Sequence, residues 1–432
     1  MSRVGVRSIG GSGPSGAFAS RGPPPPNPTP TRDLSRSGTT ALIDAAWISE
    51  LVRSAAIGGV VSAAVGMTLV LTRRRHLAVT GDGAGPSHKI HAVRTCRIGG
   101  IAVLSGLGVA LLHWAGFSGA RAAPDPAFVA LLLLALLPVA GSGLAEDLTK
   151  RIGPRQRLFW IALGASAMVA SGHVTLHSVD VPALDALLAF SPFAAVFTVV
   201  ACTGATNAFN LVDGLDGLLA GVALITLAAI GCVAARVGDA TVLGIAALLA
   251  AAIVGWLPFN WPRARLFSGD GGAYAIGFVI AVLLLVLVQR NPQVSPWFGL
   301  TAAALPVWET LHSMWRRRSD GRDAMQADQG HLHQLVRLRV HWSLTYRALR
   351  SDGVWSPHWT PGHGPPPPVP APNGACSPLL WALHAAVVVP GVVWFDDTGA
   401  SILLFAGFAT VYVLLHRRLS RSRIKYLPAL AR

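Results

Sequence analysis

Residues 207–219 read Asn207-Ala208-Phe209-Asn210-Leu211-Val212-Asp213-Gly214-Leu215-Asp216-Gly217-Leu218-Leu219 and lie between apolar runs at 187–205 and 218–235. An acid at the bilayer centre costs at least ~2.5–3.5 kcal/mol. Two acids at the mouth of a membrane helix therefore predict a water-facing cavity. Asn207, Asn210, Asp213 and Asp216 recur every three residues, which on a helix or tight turn keeps all four near one side. Helix capping and glycine stops account for one or two of these residues, not for four oxygen-bearing side chains in one place. Hard oxygen ligands converging like this suit Mg²⁺, usually held by one or two carboxylates together with substrate phosphates.

The rest of the chain fits a membrane setting. Its 432 residues are 52% hydrophobic and 13% charged, with a mean hydropathy of +0.51. A soluble domain of this length carries about 25% charged residues. The reading is an all-α polytopic membrane protein. Apolar segments long enough for a ~30 Å hydrocarbon core fall at 53–72, 98–115, 127–145, 158–172, 187–206, 218–235, 240–258, 272–289, 296–315, 378–394 and 399–416, about 11 transmembrane helices. Gly and Ala recur in many of them, as close packing in membranes prefers. The segment at 158–172 is the weakest, being short and interrupted by Gly164. Residues 1–41, rich in Gly, Pro, Ser and Arg, are expected to form a disordered N-terminal tail. They lack the apolar middle of a secretory signal. Residues 42–420 form the transmembrane domain, with 316–377 as a long loop, and 421–432 are a basic tail. The four cysteines show no metal-ligand spacing and no disulfide framework.

The net charge of +15 would suggest nucleic acid in a soluble protein, but its distribution argues otherwise. Alternate connections (73–97, 146–157, 207–217, 259–271, 316–377 and the tail after 416) hold 26 of the 35 Lys and Arg. The intervening ones hold only Arg121, Arg236 and Arg290, with five further Arg in the N-terminal tail. The positive-inside rule puts the first set in the cytoplasm. The high charge therefore records topology, and no nucleic acid is expected.

Every polar motif falls in that cytoplasmic set. The loop at 73–97 carries Lys89, His91 and Arg97 ahead of Gly99-Gly100, cations beside Gly-rich backbone that can hold phosphate. The loop at 146–157 opens with Glu146-Asp147 and continues to Lys150; adjacent acids raise one another's pKa and produce a potential base or metal clamp. Ser268-Gly269-Asp270-Gly271-Gly272 leads straight into a helix, an anion-binding turn with one hard oxygen ligand. His331 and His333 lie in the long loop, where two ligands fall short of a catalytic zinc site and phosphate binding or proton transfer is more economical.

Taken together, Asn207-x-x-Asn210-x-x-Asp213-Gly214-x-Asp216-Gly217, the Gly269-Asp270 turn and His331-x-His333 resemble the polyprenyl-phosphate N-acetylhexosamine-1-phosphate transferase superfamily, glycosyltransferase family 4, over roughly residues 55–420. The resemblance is closer to the undecaprenyl-phosphate N-acetylglucosamine-1-phosphate transferase branch than to the phospho-N-acetylmuramoyl-pentapeptide transferase branch. The latter's Thr-Pro-Thr-Met-Gly-Gly signature and three adjacent histidines are missing. Glu146 stands where the family has Asp, Cys96 where Pro is usual and His88 where Arg is common.

The resemblance implies Asn210 and Asp270 as Mg²⁺ ligands, with Mn²⁺ as a substitute. It implies Asp147, Glu146, Asp213, Asp270 and His331 as catalytic residues, and Lys89, His91, Arg97, Lys150, Asn207, Asp216 and His333 as substrate-binding residues. The implied substrates are a UDP-N-acetylhexosamine and undecaprenyl phosphate. The implied location is the bacterial inner membrane among its lipids, with the active face cytoplasmic, and a homodimer is among the implied partners. The competing expectations are a transporter of anionic sugar compounds, an inactive scaffold of a polysaccharide-assembly complex, and a zinc hydrolase built on the two histidines.

Overall fold

The computed structural model describes residues 44–80, 95–117, 125–321, 330–340 and 373–421. Its helices are α1 (Ala45–Leu71), α2 (Arg73–Thr80), α3 (Gly100–Phe117), α4 (Pro126–Thr149), α5 (Pro154–Ala170), α6 (Pro182–Leu188), α7 (Ser191–Leu211), α8 (Leu218–Val237), α9 (Ala240–Asn260), α10 (Gly269–Arg290), α11 (Pro296–Ala302) and α12 (Ala304–Ser319). Then come α13 (332–340), a 3₁₀ turn at Asn373–Ala375, α14 (Ser377–Val393) and α15 (Thr398–Arg421). Among the described residues, eight helical segments are long and apolar enough to cross a membrane: α1, α4, α7, α8, α9, α10, α14 with its 3₁₀ turn, and α15. The protein is an all-helical, polytopic membrane protein.

The three other expected spans have physical reasons to differ. The apolar part of α3, Gly100–Gly116, is shorter. Helix α5 has 17 residues, and Gly164 does not interrupt it. A side chain there would meet Val139 Cγ2 at 2.6 Å and the Ala135 carbonyl at 2.7 Å, so the glycine lets α5 pack on α4. The run 296–315 is two helices, α11 and α12, broken at Ala303. Pro306 has no N–H for the Ala302 carbonyl. The Thr226 hydroxyl of α8 donates to that carbonyl instead, at 2.9 Å.

Helix α10 is the most enclosed of the spans and packs against α3, α4, α7, α8 and α9. Its first turn is glycine-rich because backbones meet there. A Cβ on Gly143 of α4 would lie 2.5 Å from the Asp270 carbonyl carbon, and one on Gly100 of α3 would lie 3.0 Å from the Ser268 oxygen. A second seam of small residues joins α1, α3 and α9. Gly58 approaches Ala110 and Gly106, Gly255 approaches Gly59, and the Ser62 hydroxyl donates to the Ala252 carbonyl at 2.7 Å. Without a hydrophobic force between helices in lipid, such contacts carry the association.

Two glycines two residues apart test this seam. A Cβ on Gly106 would stand 2.5 Å from the Gly58 carbonyl oxygen, whereas one on Gly108 meets nothing within 4 Å. Gly106→Leu is expected to destabilise the protein in detergent by about 1–3 kcal/mol. Gly108→Leu should stay within about 0.5 kcal/mol of the parent. Denaturant unfolding followed by tryptophan fluorescence reads both.

Candidate active site

Helix α4 continues past the point where its hydropathy ends. It runs to Thr149 and stops at Lys150, whose φ of 56° is left-handed and whose N–H bonds the Glu146 carbonyl at 2.9 Å. Glu146 and Asp147 therefore lie in the last helical turn rather than in a loop. Successive helical residues point about 100° apart. Asp147 turns inward and is 1% exposed. Glu146 turns along the chain, where its Oε2 accepts the Ile152 N–H at 2.8 Å. Only the second acid of the pair joins the cluster of charges at the start of α10; the first secures the turn. Lys150 is exposed.

The segment ahead of α3 is stitched to the segment ahead of α10. The Phe267 N–H donates to the Cys96 carbonyl at 2.9 Å, Gly99 N–H to Phe267 at 2.7 Å and Gly100 N–H to Ser268 at 2.8 Å. This places Arg97 between two acids. Its Nε is 3.5 Å from Asp147 Oδ1, and its Nη2 donates to Asp270 Oδ1 at 3.2 Å. Arg157 of α5 pairs with the other oxygen of Asp270. The Gly271 N–H donates to Asp147 Oδ2 at 3.1 Å. Gly269 has φ +70°, and a side chain there would strike the Arg97 carbonyl and the Asp147 carboxylate; glycine is what lets the three strands of chain meet. Asp213, in the α7–α8 turn, accepts the Ser268 hydroxyl. Burial pushes the Asp213 carboxyl up to about 6, with Asp270 and Asp216 adding like charge, while Ser268 and Arg97 pull it down.

Asn207 and Asn210 lie half-buried in the last turns of α7. Asn210 faces the Tyr274 hydroxyl, which also has Asp270, Arg157 and Asp147 as neighbours. Asp216 bonds three neighbouring segments of the chain. Its Oδ2 accepts the Ala264 N–H at 3.0 Å, its Oδ1 the Asn373 amide at 3.4 Å, and its backbone carbonyl the Ser377 hydroxyl at 2.7 Å. It braces the α9–α10 loop and the start of α14. Lys89 and His91 lie outside the described residues.

His331, immediately before α13, and His333, in its first turn, are buried. Their rings stack in parallel, 5.4 Å between centroids. The His333 ring lies against Gly214, next to Asp213. Burial pushes its imidazolium down to about 4, so His333 is neutral at neutral pH. Among the described residues, no three His, Cys, Asp or Glu side chains converge as a metal-binding group. A cation bringing phosphate ligands of its own needs only one or two carboxylates. Asp270 with Asp147 or Asp213 can supply them, and the buried Asp147 Oδ1 has no hydrogen-bond donor among the described residues.

A cavity of about 370 Å³ opens onto this cluster. Its walls are apolar: Leu104 of α3 and Leu133, Leu136, Leu137 and Leu144 of α4. Its far end is Arg97, Asp147 and Ser268. Arg157 was not distinguishable in the sequence, because nothing local separates it from Arg151 or Arg155. The leucine wall likewise looks like any lipid-facing helix.

Residues 129–288 match glycosyl transferase family 4. The chain is 28% identical over 250 residues to the probable undecaprenyl-phosphate N-acetylglucosaminyl 1-phosphate transferase of Bacillus subtilis, covering 57% of this chain and 67% of that protein. It is 31% identical over 212 residues to the undecaprenyl-phosphate alpha-N-acetylglucosaminyl 1-phosphate transferase of Haemophilus influenzae, covering 48% and 59%. It is 32% identical over 154 residues to the protein of that name from Escherichia coli K12, covering 34% and 42%. The chain thus spans about two thirds of the first relative's length and less of the other two.

Proposed function

We propose, taking the match of residues 129–288 to glycosyl transferase family 4 as the premise, that this protein transfers an N-acetylhexosamine-1-phosphate from a UDP-sugar to a polyprenyl phosphate and releases UMP. The observation that carries the reading is the shape of the cavity. A leucine-walled groove on α3 and α4 ends at one guanidinium and one carboxylate, which suits an amphiphile with an apolar tail and a phosphate head. Acids gathered at one end of the bundle, instead of at mid-span, favour an enzyme over a transporter. The bias of Lys and Arg among the connections supports a cytoplasmic position for this end, and the bacterial source of the relatives supports a bacterial inner membrane.

In this reading the polyprenyl tail lies in the groove and Arg97 holds its phosphate. A phosphate oxygen attacks the β-phosphorus of the UDP-sugar, the bond between that phosphorus and the bridging oxygen breaks, and UMP leaves. Asp147, buried beside Arg97, orients the attacking phosphate or takes its residual proton. Asp270 and Asp213, with Asn210 beside them, are the residues that would hold Mg²⁺, which would supply charge neutralisation on the diphosphate. His333, whose ring lies against Gly214, faces the same turn, and His331 stacks on it. The relatives' names favour N-acetylglucosamine as the sugar.

Purified protein with undecaprenyl phosphate and a panel of UDP-sugars, scored by UMP release, tests the proposal. A single UDP-N-acetylhexosamine is expected to be turned over. EDTA should lower the rate by at least about 100-fold, with recovery on adding Mg²⁺ and not Zn²⁺. No UMP from any UDP-sugar, or full activity in EDTA, would overturn it.

A further inference from the structure

A lone acid in the apolar run 296–315, Glu309, belongs to none of the cytoplasmic motifs, yet it is 1% exposed. A carboxylate at that position needs partners to offset its desolvation. It has them in one place. Its Oε1 is 2.9 Å from His331 Nδ1 and accepts the Leu332 N–H at 3.2 Å. The Tyr412 hydroxyl of α15 lies against it. Ser313, one helical turn after Glu309 and so on the same face, brings its hydroxyl within 3.1 Å of the same histidine nitrogen. Helix α12 thus grips His331 by one nitrogen only. A Nδ1–H donated to a carboxylate leaves Nε2 as the acceptor and fixes the plane of the ring. That ring in turn stacks on His333, which abuts Gly214 beside Asp213.

We propose that Glu309 is a positioning residue for the transfer reaction: it sets the tautomer and plane of His331. Both residues lie outside the matched stretch 129–288. The inference rests on the proposed transfer of a sugar 1-phosphate. Acting through His331 alone, Glu309 should affect turnover and not the binding of either substrate.

Glu309→Ala is expected to lower kcat for UMP release by about 30- to 100-fold, the scale at which partners of functional histidines act. KM for the UDP-sugar and for undecaprenyl phosphate should move by less than about threefold, the pattern for a loss confined to the transition state. Glu309→Gln, which keeps an acceptor for Nδ1–H, should lose roughly tenfold, and it carries the comparison if the alanine variant does not fold. The deciding measurement is a double-mutant cycle. His331→Asn with Glu309→Gln should be no slower than His331→Asn alone, within about threefold. Multiplicative losses in the cycle, or a Glu309→Gln enzyme at wild-type kcat, would overturn the inference while leaving the transfer reading in place. A wild-type protein that releases no UMP would overturn both.

Discussion

Asp270→Asn is expected to lower kcat/KM for UMP release by at least about 10³-fold, or some 4 kcal/mol of transition-state stabilisation, while the protein still folds. Three features lead to this size. Asp270 is the acid on which the cluster converges, with Arg97 on one oxygen and Arg157 on the other. It stands in the first turn of the most enclosed helix, where Gly271 and Gly272 allow α3 and α4 to reach it. It is also the acid with both Asp147 and Asp213 as electrostatic neighbours. The amide keeps the volume and one acceptor, so packing is preserved. It removes the charge that balances two guanidinium groups and that the proposed Mg²⁺ needs. The variant should elute as a folded protein from gel filtration and melt within a few degrees of wild type. Retention of more than a tenth of the activity would show that the cation, or the chemistry, lies elsewhere.

The contrast with Asp216 shows what the sequence could and could not disclose. The three-residue repeat from Asn207 to Asp216 suggests one shared side, on a helix or a tight turn. Helix α7 stops at Leu211, and the turn carrying Gly214 and Gly217 redirects the chain before α8 begins. Asp213 consequently reaches the cluster and Asp216 becomes a brace. Glu146 and Asp147 part for a similar reason: the helix extends to Thr149, so two neighbours in sequence point in different directions. The bundle of apolar helices was legible, because burial in lipid imposes long uncharged runs. The meeting of Arg97, Asp147, Asp213 and Asp270 was legible only as residues of one membrane face. Arg157 was not, since its role is set wholly by where α5 packs. Glu309 left a signal, a single acid in a membrane-length apolar run, that the more conspicuous motifs overshadowed.

Arg97→Lys should fail almost as fully as Arg97→Ala, each losing about 100-fold or more in kcat/KM. The geometry separates charge from shape here. One guanidinium uses Nε toward Asp147 Oδ1 at 3.5 Å and Nη2 toward Asp270 Oδ1 at 3.2 Å. It also forms the polar end of the leucine-walled cavity. A lysine brings a single nitrogen on a flexible stem and cannot hold two carboxylates in a fixed relation while also meeting a phosphate. Its backbone is fixed regardless, since the Cys96–Gly100 segment is stitched to 266–268 by main-chain bonds, so neither substitution should unfold the site. The loss should fall mainly on the lipid substrate, with KM for undecaprenyl phosphate rising by about tenfold or more and KM for the UDP-sugar changing far less. A lysine variant with near-parental kcat/KM would mean that Arg97 contributes only charge. A rise confined to the UDP-sugar KM would instead assign the end of the groove to the nucleotide, and the polyprenyl phosphate would have to enter by another face.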